Sequence, residues 1–372
     1  MGLESCSVVV NPSRTPHLVR RLLGLLERHG AGRVVVTRDR DHFVREIEAF
    51  PRGPHRNLIV WGGDGSAHEA LNALVRSGCS DKNVGFLRGG SGNGIQDSYE
   101  VPFPIARQVA AFAESAEADY RIAVDLLAID DGTGAVPGYG PLCGLGFDVR
   151  VLERRALHRS RRTGSARPGL ANYVRSGLGL VVSEPLSDGR AYRLDLERGK
   201  FALRGKRTNA EFPFERLSLD ADPVMIEMGT RPYYGGLFKV CPDVVCNDGF
   251  LDLYLFNFQS KLDVLRNAVS LWNGWHPRIN SRFARRSKPL IERFEIKRAS
   301  VSSPEPFLWH VDGEVRLCGR REDGPARLEV GALPEALSFL VPAGFWRKFH
   351  PYDGLPSVTN PVVKSAESPA GT

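Results

Sequence analysis

The chain has 372 residues, 42% hydrophobic and 25% charged, a balance that excludes a disordered or fibrous protein and leaves material for two packed domains. Fifty Lys and Arg against 43 Asp and Glu give a net charge of +7, too mild to imply nucleic acid without a recognisable binding motif, and the sequence shows none. No run approaches the roughly 18 apolar residues of a membrane-spanning helix, and six cysteines without a CxxC pair argue against a zinc site or a disulfide framework.

The opening MGLESCSVVVNP sets an acid and a proline where a secretory signal needs basic residues and a long apolar core, so a cytoplasmic protein is expected. Ser7–Val10 reads as a short buried strand stopped by Asn11-Pro12-Ser13. Leu18–His29 repeats apolar residues at helical spacing and ends at Gly30. Arg33–Thr37 predicts a second strand, Asp41–Phe50 a second helix and Leu58–Trp61 a third strand. The next helix is expected to open at Ser66, with Glu69 three residues on completing a capping box. Val84–Leu87 is a fourth strand and Ile105–Glu117 a further helix. Strand and helix signals in alternation predict a parallel sheet covered by helices.

The texture changes near Tyr120. YRIAVDLLAID, AYRLDLERGKFAL, PVMIEMGT, FLDLYLFNF, RFEIKRASVSS and ARLEVG are short, β-rich and separated by turn residues, which predicts an antiparallel sandwich or barrel. Helical patterns interrupt it at Leu170–Val182 and Leu262–Leu271. The expected architecture is an N-terminal Rossmann-like parallel α/β domain over residues 1–120 and a C-terminal antiparallel β-sandwich over 121–345, whose last segment can return to the first domain. A Pro/Ser/Gly-rich, disordered tail is expected over 350–372.

Two strand–loop–helix units of the first half end in glycine-rich loops, Gly62-Gly63-Asp64-Gly65 and Gly89-Gly90-Ser91-Gly92-Asn93-Gly94. Such loops at the carboxyl ends of neighbouring parallel strands line one crevice. Glycines admit close backbone approach, and helix N-termini favour anions, so a phosphate-bearing ligand is expected. No Gly-Lys-Ser/Thr follows and the dinucleotide spacing is absent. A carboxylate in a phosphate loop repels its ligand unless a cation intervenes, so Asp64 makes sense beside Mg²⁺ in phosphoryl transfer; the plain alternative is an acid that caps a turn.

With these motifs the sequence resembles the catalytic-domain family shared by diacylglycerol kinases, sphingosine and ceramide kinases and soluble bacterial lipid kinases. The likeness rests on VVVNPSR, GGDGSAHEALNAL, GGSGN, PLCGLGFDVRVLE, CPDVVCNDGFLDL and HVDGEV, in this order between residues 7 and 342. It implies an ATP-binding first domain, a lipid-substrate second domain, and a kinase that moves the γ-phosphate of ATP to a lipid hydroxyl with Mg²⁺. The nucleotide would lie against Asn11, Pro12, Ser13, Arg14, Thr15, Thr37, Gly62, Gly63, Asp64, Gly65, Ser66, Ala67, His68 and Ser91. The base would be Glu314, the role that some relatives give to the acid at Asp64, with Asp64 orienting nucleotide and metal. A structural Mg²⁺ would sit at Val245, Asp248 and Phe250, and Asp148 near the lipid head group.

Two departures from the family pattern stand out: Ser13-Arg14-Thr15 replaces the usual Ser-Gly pair, and the second loop lacks its final acid at Gly94. An NAD kinase, which shares the Gly-Gly-Asp-Gly loop, and a non-catalytic nucleotide- or lipid-binding homologue are the alternatives. Residues 150–175 carry eight arginines and one acid. Arg150, Arg154, His158 and Arg162 would share one helical face, so peripheral binding to an anionic membrane surface is expected, each basic residue adding about 1 kcal/mol. Nucleic acid is not an expected partner, and a homodimer is compatible with the sequence.

Overall fold

The computed structural model describes residues 2–79, 81–133, 138–161, 179, 181, 183, 185–187, 189–203, 212–282, 289–321 and 324–350. Most of the expected Leu170–Val182 helix, the Arg162 end of the basic face and residues 351–372 lie outside them.

The first half runs β1 (Cys6–Val10), α1 (Pro16–Arg28), β2 (Arg33–Val36), α2 (Arg40–Ala49), β3 (Asn57–Gly62), α3 (Asp64–Arg76), β4 (Asn83–Arg88), α4 (Gly94–Ser98) and α5 (Ile105–Ala118). The strands pair in parallel in the order β4-β3-β1-β2. β1 and β3 are apolar on both faces because both faces are covered. Val8, Val10, Ile59 and Trp61 pack beneath α1 and α5, whereas Val9, Leu58 and Val60 pack beneath α2 and α3.

The second half continues with β5 (Arg121–Asp130), β6 (Gly138–Gly140), β7 (Leu142–Gly146), α6 (Phe147–Arg161), β8 (Tyr192–Leu203), β9 (Phe212–Ala221), β10 (Met225–Gly229), β11 (Tyr233–Gly235), β12 (Phe238–Lys239) and β13 (Leu251–Phe256). It ends with α7 (Lys261–Trp272), α8 (His276–Arg282), β14 (Ile291–Ser303), β15 (Phe307–Val311), β16 (Glu314–Cys318), β17 (Ala326–Leu340) and α9 (Ala343–Phe349). Its strands are antiparallel and enclose a core of alternate side chains, among them Cys143, Leu145, Ile226, Met228, Trp309 and Val311. The fold is thus a parallel α/β unit followed by a β-rich sandwich.

β17 joins the two. Its first part pairs with β14, from Arg298 opposite Gly331 to Ser303 opposite Ala326. After an irregularity between Leu333 and Leu337, its end pairs in parallel with β4, setting Ser338 opposite Asn83 and Phe339 opposite Val84. All six cysteines are buried and free.

Candidate active site

The expected capping box is not formed. α3 starts two residues before Ser66, at Asp64, with Gly63 as an extended N-cap that offers no side-chain acceptor. Ser66 Oγ instead accepts from Asn11 Nδ2 at 2.9 Å, and Glu69 bonds Arg40. The local cause is the tertiary demand for Asn11: the first loop needs an anchor on α3, and Ser66 provides it. Free N–H groups in the first turn of α3 are thereby left for a ligand, the arrangement that binds anions.

None of the glycines at 62, 63, 65, 89, 90, 92 and 94 has a positive φ; the left-handed residue in these loops is Asn93, at 56°. The glycines are there for close approach. Gly89 N–H donates to Gly62 O at 2.9 Å, and a Cβ on Gly63 would lie 3.0 Å from Gly90 Cα. Asn93 clasps its own loop, with its Oδ1 accepting from Gly90 N–H at 3.1 Å and its Nδ2 donating to Gly90 O at 2.8 Å. Thr15 Oγ1 donates to Gly89 O at 3.2 Å, and Ser13 N–H donates to Asn11 Oδ1 at 3.1 Å. Three loops are therefore bonded into one rim.

Asp64 lies inside that rim. Its Oδ1 accepts Gly94 N–H at 2.6 Å, tying α3 to the second loop. Desolvation raises its carboxyl above the ordinary aspartate value, and the charge of Arg231 and the Gly94 bond offset part of this. A half-buried carboxylate with incomplete compensation is a fit place for a divalent cation.

Glu314 is exposed at the start of β16, and its Oε1 lies 3.7 Å from the position a Cβ on Gly65 would occupy. The structure thus brings Glu314, 250 positions along the chain, to the first turn of α3 beside Asp64. The turn before it, Asp312-Gly313, has φ of 49° and 90°, as a two-residue hairpin turn requires.

Asp312 anchors this turn. Its Oδ2 lies 3.2 Å from His68 Nδ1 and its Oδ1 accepts from Arg231 at 3.0 Å, all three side chains being buried. Burial alone would raise the Asp312 carboxyl; His68 and Arg231 more than offset it and hold the group below the usual value. Asn72 braces His68, donating to its carbonyl at 2.8 Å and to Tyr139 O at 2.7 Å.

The other expected residues fall in two classes. Ser13, Arg14 and Ser91 are exposed on the rim. The side chains of Ala67, His68 and Thr37 are buried: Ala67 is core, His68 serves Asp312, and Thr37 Oγ1 donates to Val10 O at 3.1 Å. At the second expected metal position, Asp248 Oδ1 accepts Phe250 N–H at 3.0 Å and Asp125 Oδ2 accepts Gly249 N–H at 2.6 Å. Lys297 donates to Gly249 O and sits 3.6 Å over the Phe250 ring, so an ammonium already brings positive charge to this oxygen-rich turn.

A second cluster joins Asp148, expected from the sequence, to Glu227 and His310, which sequence reasoning missed. Glu227, Gly144 and His310 occupy one register row across β10, β7 and β15, on the face opposite the sandwich core. Asp148, at the start of α6, covers them, with Oδ2 2.5 Å from His310 Nε2, while Glu227 Oε1 lies 3.7 Å from that nitrogen. Among the described residues these three are the group whose donor atoms converge closely enough to hold a metal. Gly313 N–H lies 3.3 Å from His310 Nδ1, and Nε2 faces the carboxylates. Burial and then Asp148 push Glu227 up to about 8; His310 is pushed up to about 10, its carboxylate neighbours overcoming burial. Two signals were available in the sequence: Glu227 is a lone acid within VMIEMG, and His310 stands two residues before Asp312.

Residues 6–124 match the diacylglycerol kinase catalytic domain family. Over 285 residues the chain is 23% identical to a diacylglycerol kinase of Mycobacterium tuberculosis (strain CDC 1551 / Oshkosh), covering 77% of this chain and 76% of that one. It is 24% identical over 343 residues to the probable lipid kinase YegS-like of Enterobacter sp. (strain 638), covering 91% and 96%. A crystal structure of a diacylglycerol kinase from Bacillus anthracis str. Sterne shares the fold, with a TM-score of 0.58 at 13% identity over 93% of this chain and 99% of that one. Family match, relatives and shared fold agree: the chain is similar to diacylglycerol kinases and lipid kinases, with the catalytic-domain match falling on residues 6–124.

Proposed function

We propose that the protein is an ATP-dependent kinase of a hydroxyl on a membrane lipid, diacylglycerol or a sphingoid lipid, acting from the cytoplasm at the membrane surface. The observation that carries this reading is the approach of Glu314, from the β-rich half, to the glycine rim and Asp64 of the parallel half. The rim and the N-terminus of α3 would receive the phosphates of ATP through backbone N–H groups. Asp64 would hold Mg²⁺, which supplies charge neutralisation for the phosphates. The carbonyls of Val245 and Phe250 with the Asp248 carboxylate would hold a second, structural Mg²⁺ in place of the Lys297 ammonium.

In the reaction the lipid hydroxyl oxygen forms a bond to the γ-phosphorus while the bond from that phosphorus to the β–γ bridging oxygen breaks, and ADP leaves. Glu314 accepts the hydroxyl proton. An exposed carboxylate at the mouth of the rim suits this role, which contributes about 10² to 10⁴ in rate. Asp148, expected near the head group, would act from the buried cluster that backs the catalytic turn.

The test is transfer of label from γ-labelled ATP with Mg²⁺ to micelles containing diacylglycerol, monoacylglycerol, sphingosine or ceramide. One lipid should be labelled, and Glu314→Gln should lower kcat about 10² to 10⁴-fold with nucleotide still bound. Labelling that survives Glu314→Gln within tenfold would remove Glu314 from this role. Nucleotide bound with no lipid labelled would favour a binding protein.

A further inference from the structure

Helix α7 packs Val264 and Leu271 against the core yet turns a second apolar stripe to water. Its inward side carries Asp263, Asn267 and Ser270, exposed by 5%, 1% and 4%. Its outward side carries Leu262, Leu265 and Val269, exposed by 52%, 39% and 69%. The spacing i, i+3, i+7 makes the three a single stripe. The polar side is satisfied internally: Ser260 caps Asp263 N–H, Asn267 Nδ2 donates to Asp263 O at 2.8 Å, and Arg282 donates to Asn267 Oδ1 at 3.3 Å. Nothing in this wiring needs the stripe to be apolar, so the stripe has another use.

We propose that the α7 stripe, with Trp275 at its end, is the surface by which this protein sits in the interface of an anionic lipid bilayer. This rests on the lipid-kinase reading for the need to reach a bilayer. Three observations point to lipid. The span from Lys261 to Arg282 carries one acid, Asp263, and it is buried, whereas Arg266, Arg278 and Arg282 are exposed. Apolar side chains rimmed by arginines are what an in-plane interfacial helix presents to acidic head groups. Trp275 is 45% exposed, and the Arg278 guanidinium carbon stands 5.4 Å from its ring centre, so an amphipathic aromatic and a cation share the level at which head groups lie.

The third observation is position. From the end of α7, the Trp272 ring lies 5.4 Å from Phe238, which lies 6.3 Å from Tyr234, whose ring meets His310 edge-on at 5.4 Å. The stripe therefore ends three rings from the cluster that backs the catalytic turn, and a bilayer docked on α7 lies close to the substrate side of the site. A second copy of the chain fits less well. One helix face of three aliphatic residues is narrower than the roughly 800 Å² per partner of a stable dimer, and two such faces would set arginines against arginines.

The test compares the full chain with Leu265→Ser/Val269→Ser and with Arg266→Gln/Arg278→Gln in flotation with vesicles of phosphatidylcholine alone or mixed with phosphatidylglycerol. The natural chain should float with the mixed vesicles. The serine pair should bind at least about tenfold more weakly, and the glutamine pair should lose the preference for the anionic mixture. Phosphate transfer to a short-chain, monodisperse lipid should be unchanged in both. Should the serine pair fail to fold, Val269→Ser alone, at the most exposed position, reads the same surface. Equal flotation of natural chain and serine variants would overturn the proposal, as would a natural chain that floats with neither vesicle. So would a natural dimer that the serine pair turns into a monomer. Flotation that depends on the stripe, with no lipid phosphorylated, would retain the docking surface and discard the kinase reading.

Discussion

Arg231 should be the residue whose loss most loosens the site. Its side chain is 1% exposed; it donates to Asp312 Oδ1 at 3.0 Å and to Tyr233 O at 2.6 Å. Arg231→Met leaves the Asp312 carboxylate buried with the His68 ring as its remaining side-chain partner. Removing one member of a buried pair costs about 3–5 kcal/mol, most of it the penalty of the stranded charge, whereas removing both is far cheaper than the sum. Urea unfolding at pH 7 of Arg231→Met, Asp312→Leu and the double variant measures this as a cycle, with a coupling of several kcal/mol expected. The acid limb gives an independent check. Asp312 is held below its ordinary value, so its contribution is present above about pH 4 and lost as pH falls through the folded value. Arg231→Met should abolish that acid-side protection. Arg231 also lowers the Asp64 carboxyl, so the acid limb of kcat/KM should move to higher pH in the variant. Additive losses in the cycle, or a single-variant cost under about 1 kcal/mol, would refute the account of the turn as held by a buried charge pair.

Two further outcomes follow from the geometry. Gly90→Ala would drive a methyl group into the Gly63 backbone and force the two loops apart; nucleotide affinity by calorimetry should fall at least about tenfold with the melting temperature little changed, and retained affinity would mean that the loops do not cradle phosphate. Glu227 holds a proton that the unfolded chain releases, being pushed up from 4.5 to about 8, so its stabilisation is complete below about pH 4.5 and is lost as pH rises towards 8. Unfolding free energy should fall by up to about 1.4 kcal/mol per pH unit across that window, and Glu227→Gln should flatten the slope; an unchanged slope would assign the proton elsewhere.

What the sequence made legible was the periodic part. Strands such as SVVV and LIVW and the α1 and α5 patterns lie within two residues of their observed ends, because apolar period and glycine or proline stops are local signals. The start of α3 was misread because Ser66 and Glu69 fit a cap in isolation, whereas Asn11 and Arg40, distant in sequence, claim both side chains. The glycines, read from the sequence as places where backbone approaches a ligand, bring the two loops against each other, and the left-handed position falls on Asn93. The motifs single out Asp64 and Glu314, and the fold brings Glu314 to Gly65, next to Asp64 in the chain. Arg231 and Glu227 were not legible, since an arginine in GTRPYY and an acid in VMIEMG take their meaning from partners about 80 residues away, Asp312 and His310.

The same contacts bear on how the site opens. One hairpin turn bonds α3 through Asp312 and His68, reaches Arg231 from β10 outward, and presents Glu314 to Gly65. β17 meanwhile pairs with β14 in one half and with β4 in the other. Swinging the halves apart would strip Asp312 of its contact with His68, and would tear a strand out of a shared sheet. A kinase that closes around its nucleotide by hinging cannot be built on such a joint. The expectation is a preassembled cleft in which ATP and lipid enter from open sides, so X-ray scattering of the full chain should show an unchanged radius of gyration when a non-hydrolysable ATP analogue and Mg²⁺ are added. A contraction of more than about 1 Å would show that the halves move, and that the Asp312 contacts form only in the closed state.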